Sequence, residues 1–431
     1  MDADYATRLN WFRQFKERVR ASKRTLIVGV DIAKDRHHSF FGTPAGVTVQ
    51  RRLIFENTIN GFGELLATIN YYLDNHKLKE VVIGVEPTSV YHKPLAEYLI
   101  TMGYPVVYVT NTAIKNNRAL MDGRWDKNDT KDSANVADLV SRGKCHFYDL
   151  PDINLRDIRN LLSLRKRLKK QEHRLMTRIR NNLVAQYFPE LDRIWYRCRQ
   201  ENLSIVRYCL DPQKIAGLSF DDFCRIVVRK RRGVRQYDRL RYLHGIADES
   251  IGCQVGSSVG FEAQLLTENL ERVRKQISEV EQQLYLICGS YKQYELLQTI
   301  PGFGPYISAV VLGAIGFASR FENAKQLLRL AGLDLNASRS GKTSHTAVPV
   351  ISKAGKADLR YALYQAAKVA TSRTAEYKAY FEHLLKGREK ERGIKTKMCV
   401  KVSAKMLVIA WTLMKRMQPY KPGLLLPDEP G

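Results

Sequence analysis

Long apolar runs are missing from this 431-residue chain. The longest, around 309–318 and 406–414, fall well short of the roughly 20 residues a bilayer-spanning helix needs, so no membrane-spanning segment is expected. The opening stretch MDADYATRLNWFRQFKERVR has no apolar core leading to a cleavage site. No secretory signal is expected, and the reading is a cytoplasmic protein. Cysteine is sparse and scattered: Cys145, Cys198, Cys209, Cys224, Cys253, Cys288 and Cys399 form no C-x-x-C pair and have no histidine at zinc-ligand spacing. That excludes a disulfide scaffold and a zinc module and leaves reduced, structural thiols. Acidic residues are also in short supply, 44 against 70 Lys and Arg, for a net charge of +26. Such a field attracts polyanions, and nucleic acid is the default partner. The length exceeds what one hydrophobic core usually supports and suggests two or three domains.

Residues 25–32 (TLIVGVDI) form a compact, β-branched run that reads as a buried strand ending at Asp31. Strands at 39–43 and 48–56 flank the turn Pro44-Ala45-Gly46. Residues 61–75 then have helical period, with Phe62, Leu65, Leu66, Ile69 and Leu73 on one side. A second buried run, EVVIGVE at 80–86, also ends in a carboxylate. A helix over 91–103, a third run (PVVYVTN) and a helix opening near Lys131 follow. Three strands, helix, strand, helix, strand, helix is the order of a ribonuclease-H-like α/β domain.

From Leu155 to about Leu183 the character changes to a basic helix carrying Arg165, Lys166, Arg167, Lys169, Lys170, Arg174, Arg178 and Arg180. Its apolar stripe is Leu161, Leu164, Leu168, Leu175 and Ile179. Further on, Leu266, Leu270, Val273, Ile277, Val280, Leu284 and Ile287 alternate four and three apart, the spacing of a coiled-coil seam. The two stretches are expected to pack as a long helical hairpin, with residues 190–258 inserted between them. That insertion holds the cationic run Arg229-Lys230-Arg231-Arg232 and a Gly/Ser-rich loop. The last third opens on TIPGFGPYISAVVLGAIG, a tight turn into a helix. It continues through a Ser-rich loop and a helix near 356–371, and closes with basic helices up to Lys415. The domains read as 1–150 (α/β), 151–290 (basic coiled-coil hairpin), 291–418 (helical) and a disordered Pro/Gly-rich tail, 419–431.

Asp31 and Glu86 end two buried strands, where open α/β folds assemble their sites. Taken singly, each also fits a cap or a strand-end turn; with the strand order, they read together as a metal site. Asp129 and Asp132, three apart at a helix start, point the same way if that turn is helical. They fit equally as helix N-terminal acids complementing the macrodipole, as does Asp126. Clustered carboxylates must be neutralised, and hard oxygen donors select Mg²⁺ or Mn²⁺. Two such ions can serve both oxygens of a phosphodiester displacement. His37 and His38 read as an exposed or strand-edge pair rather than ligands.

The PGFGP turn presents backbone N–H groups at a helix start, like the hairpin of helix-hairpin-helix modules. Gly302 and Gly304 would there face phosphate; a plain connecting turn accounts for it equally. Ser338, Ser340 and Ser344 lie among Arg339, Lys342 and His345. A serine so placed can act as a nucleophile beside cations, but a Ser-Gly-Lys linker is the simpler reading of the residues alone. Lys353, Lys356 and Arg360 fit phosphate contacts or a solvated face.

These motifs in this order resemble one family, the DEDD transposases of bacterial insertion sequences: the IS one-ten family, with its Piv invertases, also called bridge-RNA-guided recombinases. The resemblance rests on VGVDIAK (28–34), GVEPT (84–88), NDTKDSANVADL (128–139), TIPGFGPYISAVVLGAIG (299–316), RLAGLDLNASRSGK (329–342) and ISKAGKADLRYAL (351–363). It implies a RuvC-like N-terminal domain with Asp31, Glu86, Asp129 and Asp132 as its metal-binding acids. It also implies a serine nucleophile at Ser340, with Ser338 as the neighbouring register, that forms a phosphoserine link to DNA. Ser133 stands where many relatives have alanine, which alters no ligand. A structured noncoding RNA that selects donor and target DNA is implied as well, as is a homo-oligomer, dimer or tetramer, for which the seam at 266–287 is a plausible surface. The competing readings are a RuvC-type structure-selective nuclease using water and a non-catalytic nucleic-acid-binding protein.

Overall fold

The computed structural model describes residues 3–87, 89–121, 129–196, 201–230, 233–336, 350–423 and 425. The chain divides into two compact units, Met1–Asp152 and Ile153–Gly431.

The first unit is a mixed α/β layer structure. After helix α1 (Ala3–Arg18) come β1 (Thr25–Asp31), β2 (Arg36–Gly42), β3 (Thr48–Glu56), α2 (Ile59–Asn75), β4 (Glu80–Val85), α3 (His92–Thr101), β5 (Val106–Tyr108), α4 (Asn111–Met121), α5 (Asp129–Ser141) and β6 (His146–Phe147). The sheet runs β3-β2-β1-β4-β5-β6, with β1, β4 and β5 parallel and the remaining neighbours antiparallel. Strand β1 is buried from Thr25 to Val30 because both faces are covered, which is why it reads as an unbroken apolar run. Leu26, Val28 and Val30 face the α2 and α3 side, while Ile27 faces α5.

The expected strands and helices are present, but α1, α4 and β6 were not anticipated. Strand β2 begins at Arg36, so it includes the two histidines. His37 is fully buried, stacked on Phe62 and edge-on to Phe55. The exposed or strand-edge reading of the pair is therefore wrong: β2 lies between β1 and β3, inside the sheet.

The second unit is helical apart from the two-stranded pair β7 (Leu335–Asn336) and β8 (Val350–Ile351). Its helices are α6 (Ile153–Arg178), α7 (Ala185–Tyr187), α8 (Pro189–Arg193), α9 (Asn202–Tyr208), α10 (Pro212–Ala216), α11 (Phe220–Val227), α12 (Val234–Ile246), α13 (Ser257–Cys288), α14 (Lys292–Gln298), α15 (Pro305–Ile315), α16 (Ala324–Ala331), α17 (Ala357–Arg373), α18 (Ala375–Leu385) and α19 (Ile394–Arg416). The expected hairpin is α6 against α13, which pack along their lengths. The seam is consumed inside the chain: Leu266, Leu270, Val273, Ile277 and Leu284 are buried. Those side chains are unavailable to a second subunit, which removes the seam as an assembly surface. The insertion is not a loose loop. Val206, Ile215, Phe223, Leu240 and Leu243 form one core with Ile179, Leu266 and Leu270 from the tip of the hairpin.

At the other end of the hairpin, Ile158, Leu284 and Cys288 share a core with α14 to α19, so packing continues across residue 290. Helix α15 is buried from Ser308 to Ile315. This explains an apolar run too short for a membrane but right for a central helix. Among the described residues no helix is long and apolar enough to cross a membrane. The start of the expected disordered tail is docked. Tyr420 N donates to Thr299 Oγ1 at 2.8 Å, and Tyr420 Oη and Gly423 N donate to Glu376 at 2.7 and 2.9 Å. Composition missed this because one tyrosine and one buried leucine, Leu425, are enough to anchor the segment.

Candidate active site

In register, Gly29 of β1 stands opposite Gly84 of β4, and Val30 opposite Val85. The next residues are Asp31 and Glu86, and the amide of Glu86 donates to Val30 O at 3.3 Å. Two carboxylates thus end neighbouring parallel strands, roughly one strand spacing of about 4.8 Å apart at the backbone. Alternation along the strands puts both on the face that carries Ile27, Val82 and helix α5.

The glycines set how closely that helix approaches. A Cβ on Gly29 would lie 2.1 Å from Ser133 O and 2.6 Å from Ala137 N. One on Gly84 would lie 2.6 Å from Val140 Cγ2. Helix α5 therefore rests its backbone on β1, with its first turn and Asp132 over the same face as Asp31. The repeated Gly-Val-acid (29–31 and 84–86) carried this signal in the sequence, but only the acids were read from it.

The rotation of α5 is fixed by a buried polar network. Asn117 Nδ2 donates to Asn135 Oδ1 and Asp138 Oδ2, both at 2.8 Å, and Asn135 Nδ2 donates to Ile114 O at 2.9 Å. Asp132 is only 2 % exposed. Its Oδ1 accepts from Arg118 Nη2 at 2.5 Å, and Arg118 Nε is buried without a partner. Arg118 had no signal in the sequence; α4, which carries it, was not predicted. His38 lies directly across from Asp31 in the β1–β2 ladder, so it borders the carboxylates. Burial lowers the pKa of the neighbouring His37, against an interaction with the Asn57 side chain that raises it; the charge of His38 adds to the lowering.

Asp31 and Glu86 are therefore brought side by side, and Asp132 is placed on the same layer, held by Arg118. Asp129 begins α5, but its side chain lies outside the described residues. Among the described residues no three acids, histidines or cysteines stand close enough to hold a metal ion. The donor chemistry nevertheless fits a hard divalent cation. Three carboxylates share one layer, two of them at adjacent strand ends, and Arg118 supplies the positive charge beside the third.

Comparison with known proteins is consistent with this arrangement. A DEDD transposase family model of the IS110 type matches residues 28–189, spanning Asp31, Glu86 and α5. A second, described as the transposase IS116/IS110/IS902 family, matches residues 294–382. The chain belongs to the IS110 family of transposases. It is similar to the transposase for insertion sequence element IS1111A of Coxiella burnetii, 24% identical over 95% of both chains. It also resembles an uncharacterized 43.6 kDa protein of insertion element IS110 from Streptomyces coelicolor, 23% identical over 85% of this chain and 88% of that one. The pilin gene-inverting protein of Moraxella bovis is 27% identical over 36% of this chain and 48% of its own length. For a transposase the general activity is DNA cleavage and recombination.

In the second unit of the transposase, Arg167, Lys170 and Arg174 on α6 are exposed, with no carboxylate partner among the described residues. Arg165, Lys166, Lys169 and Arg178 are paired with Glu281, Asp358, Glu172 and Glu262. The two turn glycines differ. Gly302 has φ +85° and would place a Cβ 2.4 Å from Ala366 O, so it seats the turn on α17, whereas Gly304 is open. Arg360 Nη1 donates to Ala331 O at 2.8 Å and so caps the end of α16. Lys353 is exposed beside it. Ser338, Arg339, Ser340 and Lys342 lie outside the described residues. The buried thiols are unreactive: burial pushes Cys145 and Cys209 up to about 11 and Cys288 to about 12.

Proposed function

We propose that this transposase cuts and rejoins DNA with a RuvC-like carboxylate site in its first unit and a serine nucleophile, Ser340, in its second. The observation that carries the proposal is the Gly29–Gly84 pair. It lets α5 settle over the ends of β1 and β4, so that Asp31, Glu86 and Asp132 share one layer. Asp129 completes the acid set by the family's pattern. Asp31, Glu86, Asp129 and Asp132 would hold Mg²⁺ or Mn²⁺, which when bound supplies Lewis acidity toward the scissile phosphate. To join such a set, Asp132 exchanges its bond to Arg118, whose guanidinium is then free for a phosphate oxygen.

Ser340 Oγ loses its proton as it bonds to phosphorus, and one DNA hydroxyl departs with a proton. A hydroxyl from another strand then attacks the phosphoserine, re-forms a phosphodiester and returns the serine. One phosphoester replaces another at each step, so no external energy source is needed. Ser338 is the neighbouring register for the nucleophile. The domains are a catalytic domain over 1–150, a basic coiled-coil-like hairpin over 151–290 with its insertion, and a transposase domain over 291–418. Arg165, Lys166, Arg167, Lys169, Lys170, Arg174, Arg178, Gly302, Gly304, Arg339, Lys342, Lys353 and Arg360 are assigned to phosphate contacts, in keeping with a net charge of +26. A structured RNA from the element's flank selects donor and target by base pairing, and a homo-oligomer brings two sites together.

The test is a denaturing gel for covalent protein–DNA adducts, with Mg²⁺, the flanking RNA and both duplexes. It compares wild type with Ser340→Ala and Asp31→Ala. An adduct lost in both variants is expected. Cleavage without adduct, kept in Ser340→Ala and lost in Asp31→Ala, would make the protein a water-using nuclease.

A further inference from the structure

Between α6, α15 and α17 the second unit holds a cavity of about 810 Å³, a size that accepts a nucleotide-sized ligand. Among the described residues its lining carries five cations, including Arg165, Lys166, Lys169 and Lys356, against one carboxylate, Asp358. It also carries two tyrosines. The Arg165 guanidinium lies over the Tyr306 ring, 3.7 Å from its centre, and covers that face of it. Tyr361 is 63 % exposed, and Gln365 lies one helical turn further along α17, on the same wall.

Arg165 is paired with Glu281 and the half-exposed Lys169 with Glu172, both acids outside the lining, and the single acid of the lining does not close the groove to an anion. Lys166 and Asp358 meet at 2.9 Å, but their side chains are 64 % and 62 % exposed. Such an exposed pair is weak and exchanges readily for a phosphate. A duplex keeps its base faces stacked on one another and offers phosphates to a protein. An exposed tyrosine ring such as Tyr361 has no partner on such a surface, but it matches an unstacked base.

We propose that this groove binds a single-stranded segment of DNA, with a base stacked on Tyr361 and the flanking phosphates held by Lys166, Lys169 and Lys356. The inference rests on the recombinase reading, because cutting and exchanging strands is what frees a single strand. The choice of DNA follows from that reading, since DNA is the substrate the family acts on, and the RNA probe below tests it.

The test uses the full-length protein and fluorescence anisotropy with four labelled probes: a short single-stranded DNA, the same strand with abasic sites, its blunt duplex, and the RNA of the same sequence. Wild type should bind the single strand more tightly than the abasic one. Tyr361→Ala should weaken single-strand binding by about ten-fold and erase that preference. Tyr361→Phe should keep it, and duplex affinity should not change. The Tyr361 side chain is exposed, so the fold survives its removal. Equal affinity for the intact and abasic strands overturns the proposal, and so does an equal loss on duplex and single strand. Much tighter binding of the RNA, with the same dependence on Tyr361, hands the groove to RNA. Duplex binding with no single-strand binding sinks the groove alone, whereas failure to bind any probe sinks the recombinase reading with it.

Discussion

Replacing Gly29 with alanine tests whether the close seating of α5 builds the candidate site. The new Cβ would stand 2.1 Å from the carbonyl oxygen of Ser133 and 2.6 Å from the amide of Ala137. Both are backbone atoms of α5, so no rotamer change relieves the clash, and the helix must back off by about 1 Å to restore ordinary contact. Overpacking of this kind costs about 1–3 kcal/mol, and the upper end applies because backbone must move. The same shift carries Asp132 away from Asp31 and Glu86. A misplacement of about 1 Å at reacting groups can cost on the order of 100-fold in rate. Gly84→Ala is the milder counterpart: its Cβ would meet side-chain methyls, Val140 Cγ2 at 2.6 Å and Val136 Cγ1 at 3.1 Å, rather than backbone. Side chains give more readily than backbone, so stability and DNA cleavage should both fall, but by less than in Gly29→Ala, about 1 kcal/mol in stability. Urea unfolding and a Mg²⁺-dependent cleavage assay on the two variants provide the comparison. Wild-type stability and wild-type cleavage in Gly29→Ala would refute the reasoning, as would equal losses in both.

Arg118→Ala leaves the buried Asp132 without its counter-charge and should cost about 2 kcal/mol in chemical denaturation, given that Arg118 is itself partly solvated. Millimolar Mg²⁺ should restore part of that loss, and an unchanged midpoint with and without Mg²⁺ would remove Asp132 from the proposed ligand set. Cys288 is fully buried and its pKa is raised by burial to about 12. A raised folded-state pKa contributes stability that is complete below the unfolded thiol value, about 8.5, and is lost as pH rises toward the folded value. Between pH 9 and 10 the wild type should therefore lose about 1 kcal/mol more than Cys288→Ala in urea unfolding; parallel pH profiles would show that the thiol does not stay protonated in the fold.

Local pattern was enough for much of the first unit. Each buried parallel strand is an unbroken apolar run because both its faces are covered, so β1 and β4, and the acids at their ends, were legible from the residues alone. The 3.6-residue period marked α2, and the four-three spacing of Leu266 to Leu284 marked the long helix α13. These signals are local because burial on one face repeats with the geometry of the element itself. The order of the motifs along the chain also pointed to the transposase family, which the comparisons bear out.

Other features depended on groups far apart in the chain. A heptad seam is the same sequence whether its partner is a second subunit or α6, and the fold decided for α6. Arg118 meets Asp132 only because α4 and α5 pack together. Tyr306 and Tyr361 line one groove only because α15 and α17 are neighbours in the helical core. The depth at which α5 sits depends on the missing side chains of Gly29 and Gly84 together with the backbone of Ser133 and Ala137. The sequence by itself determined which residues could do the chemistry and which elements carry them. The tertiary structure alone decided which of those residues stand together, because contact between distant segments is a property of packing and no single segment encodes it.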